Sequence, residues 1–223
     1  MLLYIAFISA FSITSVLAMP LKKRDNDHNT SRCPNFCAGT NTTSDPLYIC
    51  GDSRLGPVTL PTGIPLDGIA GLDSIYHRFG ALCPGEFLAK YTDPTTGQFV
   101  YPPFSGFQID TTGKAFTAKV TLPLGMVLDR FGSENGTYMS PGGASYAQRA
   151  LPPTNLDALP GAAYPYNYHV YTVSRVMVVE SGVIAPWFGQ PGFGVQFLMP
   201  FNITSLVEQG FLSRLNLTAD PDW

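Results

Sequence analysis

All four cysteines of this chain, Cys33, Cys37, Cys50 and Cys83, fall before residue 84, so any covalent crosslinking is confined to the N-terminal part. Their chemistry depends on the compartment. Four thiolates can bind zinc, but a C-x3-C pair followed by gaps of 12 and 32 residues is irregular for a tetrahedral site. In an oxidising compartment the same even count implies two disulfides, with three pairings open.

The opening run "MLLYIAFISAFSITSVLA" decides the compartment. It is apolar, ends in the small residue Ala18, and is short and hydroxyl-bearing for a membrane span, so residues 1–18 read as a secretory signal peptide. The dibasic Lys23-Arg24 in "MPLKKR" makes 19–24 a candidate propeptide, and a mature chain without a membrane anchor is expected. Five N-x-S/T sequons, at Asn29, Asn41, Asn135, Asn202 and Asn216, suit a glycosylating secretory route. Secretion therefore favours disulfides over zinc.

Without residues 1–24 the chain carries 10 basic and 16 acidic residues, a net charge of −6. No broad basic face can be built from that, which argues against nucleic acid as a partner. Self-association as a homodimer stays open. The length suits one compact domain with an appendage, divided as a disulfide-stapled N-terminal subdomain over 25–98, a main domain over 99–215 and a tail over 216–223.

Periodicity separates the two parts. In "LDSIYHRFGALCPGEFLAKY" the apolar Ile75, Phe79, Leu82, Phe87 and Leu88 recur at helical spacing, with Pro84-Gly85 expected to break the helix. Beyond residue 99 the pattern turns to strands: "KAFTAKVTL" alternates, "YHVYTVSRVMVVESGVIA" is rich in Val and Tyr, and "GVQFLMP" adds a short segment. "SLVEQGFLSRL" reads as a helix interrupted by Gly210. An α+β fold follows, an antiparallel β-sheet core with few peripheral helices.

Familiar catalytic signatures are absent. Phe197 replaces the last glycine of a G-x-G-x-x-G, no Walker lysine or G-x-S-x-G occurs, and His28, His77 and His169 form no metal-ligand spacing. What stands out is "LDRFGSENGTYMSPGGASYAQRALPP", read as rigid loop, in which Arg130 and Arg149 each offer a planar fork for a phosphate or carboxylate, and two such forks on one loop could grip a pyrophosphate. Salt bridges to Asp129 and Glu134 are the plainer reading of both. Phe131, Trp187, Phe188 and Phe193 could stack a flat ring or simply fill a core, and Gln196 could orient a substrate group through its amide.

Taken in order, "YPPFSGF", "LDRFG", "GTYMSP", "RALPP", "YHVYTV", "SGVIAPWFGQPGFGVQF" and "LVEQGFL" resemble the tuberculosis necrotizing toxin domain, over about half the chain. With its secretion signal and cysteine-bearing N-terminal part, the chain is more specifically similar to fungal surface NAD glycohydrolases that carry this domain. Members split NAD+ into nicotinamide and ADP-ribose, and some accept NADP+; NAD+ is then substrate and no cofactor is implied. Carried across, the resemblance assigns catalysis to Gln196, Arg130 and Arg149, and substrate binding to Phe131, Tyr138 and His169; Phe131 with Trp187 or Phe188 is then expected to stack the nicotinamide, and Arg130 and Arg149 to hold the diphosphate. Some fungal members hold calcium in a longer C-terminal tail, but Asp220 and Asp222 are too few for an all-protein calcium cage. No metal site is therefore expected. The competing expectation is a secreted wall or nucleotide-binding module without activity.

Overall fold

The computed structural model describes residues 32–41, 43, 45–71, 74–158 and 165–217. The signal peptide, the candidate propeptide, Asn29 and residues 218–223 of the tail lie outside the described residues. Seven strands form one sheet in the order β1-β5-β6-β3-β2-β4-β7, every pair antiparallel. They are β1 (Thr117–Leu122), β2 (Val127–Phe131), β3 (Tyr138–Pro141), β4 (Tyr168–Val173), β5 (Met177–Val183), β6 (Val195–Leu198) and β7 (Leu212–Arg214). Helices α1 (Leu66–Ala70), α2 (Pro84–Tyr91), α3 (Tyr146–Arg149) and α4 (Ile203–Glu208) are short, as the α+β reading requires.

Strand alternation sorts side chains onto two cores. From β4, Tyr171 and Val173 join Leu128, Met139 and Phe197 in one cluster that α4 covers with Ile203 and Leu206. Tyr168 and Val170 point to the opposite cluster, with Phe131 and Tyr146, closed by Leu60, Leu66, Ile69 and Tyr76 from the N-terminal part. A third cluster joins Ile49, Leu55, Phe79, Phe87, Leu88 and Tyr91 to Phe188 of the β5–β6 connection. Residues from the stapled segment thus complete two of the three cores.

The cysteines pair as Cys33–Cys83 and Cys37–Cys50, and no free cysteine remains among the described residues. Cys33–Cys83 ties the start of the described chain to the N-cap of α2, and Cys37–Cys50 ties it to the turn at Ile49–Gly51.

Two helix expectations need correction. Pro84-Gly85 starts a helix instead of breaking one: Pro84 is the first residue of α2, where its missing N–H costs nothing, and the Glu86 side chain accepts from the Cys83 N–H at 2.9 Å. The described residues before it, from Ser74, form turns, and Ile75 is exposed. In "SLVEQGFLSRL" the helix ends at Glu208, Gly210 adopts φ +74°, and the remainder becomes edge strand β7.

Candidate active site

The strands β2 and β3 stay paired for only two positions, Leu128 with Pro141 and Asp129 with Ser140. Beyond these they part, and a cavity of about 420 Å³ opens between Arg130 and Phe131 on one side and Tyr138 and Met139 on the other. Tyr101, Ser105 and Gly106 enclose it from the segment before β1, Gln196 from β6, and Arg149, Ala150 and Asn155 from the chain after β3. The size suits a small organic ligand. Leu128–Phe131 of "LDRFG" and Tyr138–Pro141 of "GTYMSP" lie on strands, and Arg149 on a helix, where sequence reasoning had put them on loops.

Arg130 bridges the parted strands. Its Nε donates to the Gly132 carbonyl at 3.2 Å and its Nη1 to the Tyr138 carbonyl at 2.7 Å. It forms no ion pair among the described residues, and Gly136 leaves room for the guanidinium: a Cβ there would lie 2.4 Å from Nη2. Burial pulls its pKa below the ordinary arginine value, while the Glu134 charge works against that fall. Arginine remains charged at neutral pH.

Arg149 differs in kind. Its Nη1 and Nη2 donate to the two oxygens of Asp129 at 2.6 and 2.8 Å, and its Nε and Nη2 both donate to the Ala144 carbonyl. Asp129 also accepts from the Gly143 N–H and the Tyr168 hydroxyl. The fork read from sequence as open to a diphosphate is engaged by a buried carboxylate, so the salt-bridge reading describes this arginine. The two forks expected on one loop sit on different elements with different partners.

Gln196 stands on β6 opposite Gly182 of β5. Its Nε2 donates to the Ser105 carbonyl at 2.9 Å, and since a carbonyl can only accept, this bond fixes the amide orientation. The Oε1 then accepts from no described residue. Phe104 and Ser105 hold φ of +55° and +58°, the left-handed region that non-glycine residues seldom enter, and such strain of roughly 1–3 kcal/mol concentrates at functional sites.

The aromatic expectations divide. Tyr138 lines the cavity and is exposed. Phe131 lines it but is buried, packed on Tyr146 and Tyr168 with ring centroids at 5.0 and 4.7 Å and Arg149 over its face at 5.2 Å, so no ring face is free to stack a ligand. Phe188 is fully buried in the third core and Trp187 donates to the Val100 carbonyl; neither lines the cavity. Phe188 instead meets Tyr101 edge to face at 5.4 Å, which props that exposed tyrosine at the cavity mouth. Tyr101 was missed because "FVYPPF" reads only as a loop.

His169 pairs with Arg130 across β2 and β4 but lies outside the cavity lining. Its Nε2 contacts the Asn167 Oδ1 at 3.0 Å. Burial lowers its pKa; the Glu134 charge opposes this, while Arg130 and Arg214 reinforce it. Glu134 is held by a two-pronged contact from Arg214 and by the Tyr171 hydroxyl. Asn155 and Ser140 line the cavity as well, and neither was singled out by sequence.

Asn41, Asn135 and Asn216 are exposed, and Asn202 caps α4 through its side-chain oxygen, which leaves its nitrogen outside that bond. No cluster of three or more metal-ligating His, Cys, Asp or Glu side chains occurs among the described residues.

Residues 121–215 match the family model described as tuberculosis necrotizing toxin. The conidial surface nicotinamide adenine dinucleotide glycohydrolase nadA of Aspergillus fumigatus is 47% identical over 215 residues, covering 95% of this chain and 89% of that protein. Among solved structures, the tuberculosis necrotizing toxin complexed with its immunity factor aligns with 22% identity and a TM-score of 0.40, covering 85% of this chain and 87% of that one. Rhs1-CT in complex with its cognate immunity protein aligns with 18% identity and a TM-score of 0.30, covering 44% and 76%.

Proposed function

We propose that this chain, which belongs to the tuberculosis necrotizing toxin domain family and groups there with the fungal surface NAD glycohydrolases, hydrolyses NAD+ to nicotinamide and ADP-ribose outside the cell or at its surface. The observation that carries the reading is the joint placement in one cavity of an arginine that forms no ion pair and a glutamine whose carbonyl oxygen accepts no hydrogen bond among the described residues.

Nicotinamide in NAD+ is a cationic ring and departs neutral, so breaking its glycosidic bond demands no proton donor. The positive charge passes to the ribose, and a glycosidase would ordinarily set a carboxylate beside it. Asp129 is the carboxylate that lines the cavity, but four donors from Arg149, Gly143 and Tyr168 occupy it. It holds the floor of the site and leaves charge stabilisation to dipoles. Gln196 Oε1, aimed by the bond to Ser105, stabilises the oxocarbenium-like ribose, and its orientation is prepaid by the fold. Arg130 takes the diphosphate. Tyr101 and Tyr138 flank the flat nicotinamide ring at the mouth. Water adds to the anomeric carbon, and its surplus proton leaves to solvent.

Catalysis in this account uses no resident metal, and NAD+ is substrate rather than cofactor; NADP+ fits the same cleavage chemistry. Neither a nucleic acid nor a membrane is required, and a homodimer is compatible with the account. Purified protein incubated with NAD+ should release free nicotinamide at a rate unchanged by a strong chelator. No release would reject the activity, and loss reversed by added calcium or zinc would reject the metal-free mechanism.

A further inference from the structure

The cavity contains a second amide that is anchored like Gln196. Asn155 Nδ2 donates to the Phe131 carbonyl at 3.2 Å, two residues beyond the last β2–β3 pair, where β2 is still paired with β4. Since that carbonyl must receive a donor, the bond fixes the amide, turning Oδ1 away from Phe131 with no described donor of its own. One Nδ2 hydrogen is also left over. Asn155 therefore offers one acceptor and one donor side by side, which complements a vicinal diol.

Its position narrows which diol. Asn155 and Arg130 share the space beside Gly132: a Cβ on that glycine would lie 2.8 Å from Asn155 Nδ2 and 3.7 Å from Arg130 Nη2. Glycine at φ +103° keeps the space open. Gln196 stands on β6, separated from β2 by β3, and neighbouring strands are spaced by about 4.8 Å. With the reacting ribose at Gln196 and the diphosphate at Arg130, the unit next to the diphosphate on the far side is the adenosine ribose.

We propose that Asn155 is a substrate-binding residue that grips the 2′- and 3′-hydroxyls of the adenosine ribose through its free Oδ1 and remaining Nδ2 hydrogen. This rests on the NAD+ reading above. It makes Asn155 the residue that senses the 2′ substituent, the position at which NAD+ and NADP+ differ.

The test compares the affinity of the whole protein for ADP and for 2′,3′-dideoxy-ADP, which differ only in the two hydroxyls. Wild type should bind ADP about tenfold more tightly, and Asn155→Ala should bind both at the dideoxy level. A purely structural role would weaken both ligands together and preserve their ratio. Asn155→Ser, whose shorter side chain keeps a donor near the Phe131 carbonyl but cannot span a diol, should lose the ratio too and covers the case in which the alanine variant fails to fold. Equal binding of the two ligands by wild type, or an unchanged ratio in the folded variants, overturns the proposal. Nicotinamide release from NAD+ by the same wild-type preparation is scored separately, so failure of the underlying activity is told apart from failure of Asn155.

Discussion

Arg149 and Asp129 form a two-pronged ion pair at 2.6 and 2.8 Å, with side chains 3% and 0% exposed, at the floor of the cavity. Removing either charge would strand the other inside the protein. Asp129→Asn should therefore destabilise the fold by about 3–5 kcal/mol, read by chemical denaturation. A loss under about 1 kcal/mol would mean that solvent reaches the pair.

Arg130 and Arg149 should separate by what their lysine variants damage. Arg149→Lys keeps a charge but loses the paired fork, so its main effect should be a lower melting temperature. Arg130→Lys should fold normally and lose about tenfold in kcat/KM for NAD+, mostly through KM, because an ammonium cannot reach the Gly132 and Tyr138 carbonyls and grip the diphosphate at once as the guanidinium fork does. Equal melting losses in both variants would contradict the division.

The pH dependence of stability has two opposing parts. His169 has a lowered pKa in the folded state, so the unfolded chain takes up its proton first; the stability it contributes is present above pH ~6.5 and is lost as pH falls toward the folded value. His169→Gln should flatten the acid side of the melting profile.

Asp157 acts with the opposite sign. Burial raises it to about 7, with the Thr154 hydrogen bond and the Arg78 charge opposing that rise, and its buried Oδ1 has no hydrogen-bond partner among the described residues. The folded state holds a proton that the unfolded chain has already released, so stability falls as pH rises from about 4 to 7. Asp157→Asn should raise the melting temperature most at pH 8, less at pH 5, and change it little at pH 4. A lowered melting temperature at pH 8 would show the carboxylate to be compensated.

The two disulfides should contribute unequally. Cys33–Cys83 spans a sequence separation of 50 and Cys37–Cys50 one of 13, so serine replacement of the longer bridge should cost about 1 kcal/mol more by chain entropy. Identical losses would indicate that strain or residual structure outweighs loop length.

Most of the sheet was legible because β1, β4, β5 and β6 carry alternating or β-branched runs. The strands that build the site were not. β2 and β3 are short, interrupted by charge and bounded by glycine, so "LDRFG" and "GTYMSP" look like loops. The ordered motifs singled out Arg130, Tyr138 and Gln196, all of which line the cavity. They could not distinguish an arginine facing a cavity from one closed by Asp129, since that depends on side-chain direction around α3. Phe188 misled for a similar reason: a buried aromatic that props Tyr101 has the same one-letter signature as one that stacks a ligand. Asn155 carried no signal, because its place in the cavity wall comes from meeting the Phe131 carbonyl across the fold.

The central claim is that the Gln196 carbonyl oxygen stabilises the ribose cation, and steady-state nicotinamide release from NAD+ by Gln196→Ala beside wild type tests it most directly. The account predicts a fall in kcat of about 10²–10³-fold, the scale of losing one preorganised dipole, with an unchanged melting temperature. A folded variant that turns over NAD+ within a few-fold of wild type would contradict it.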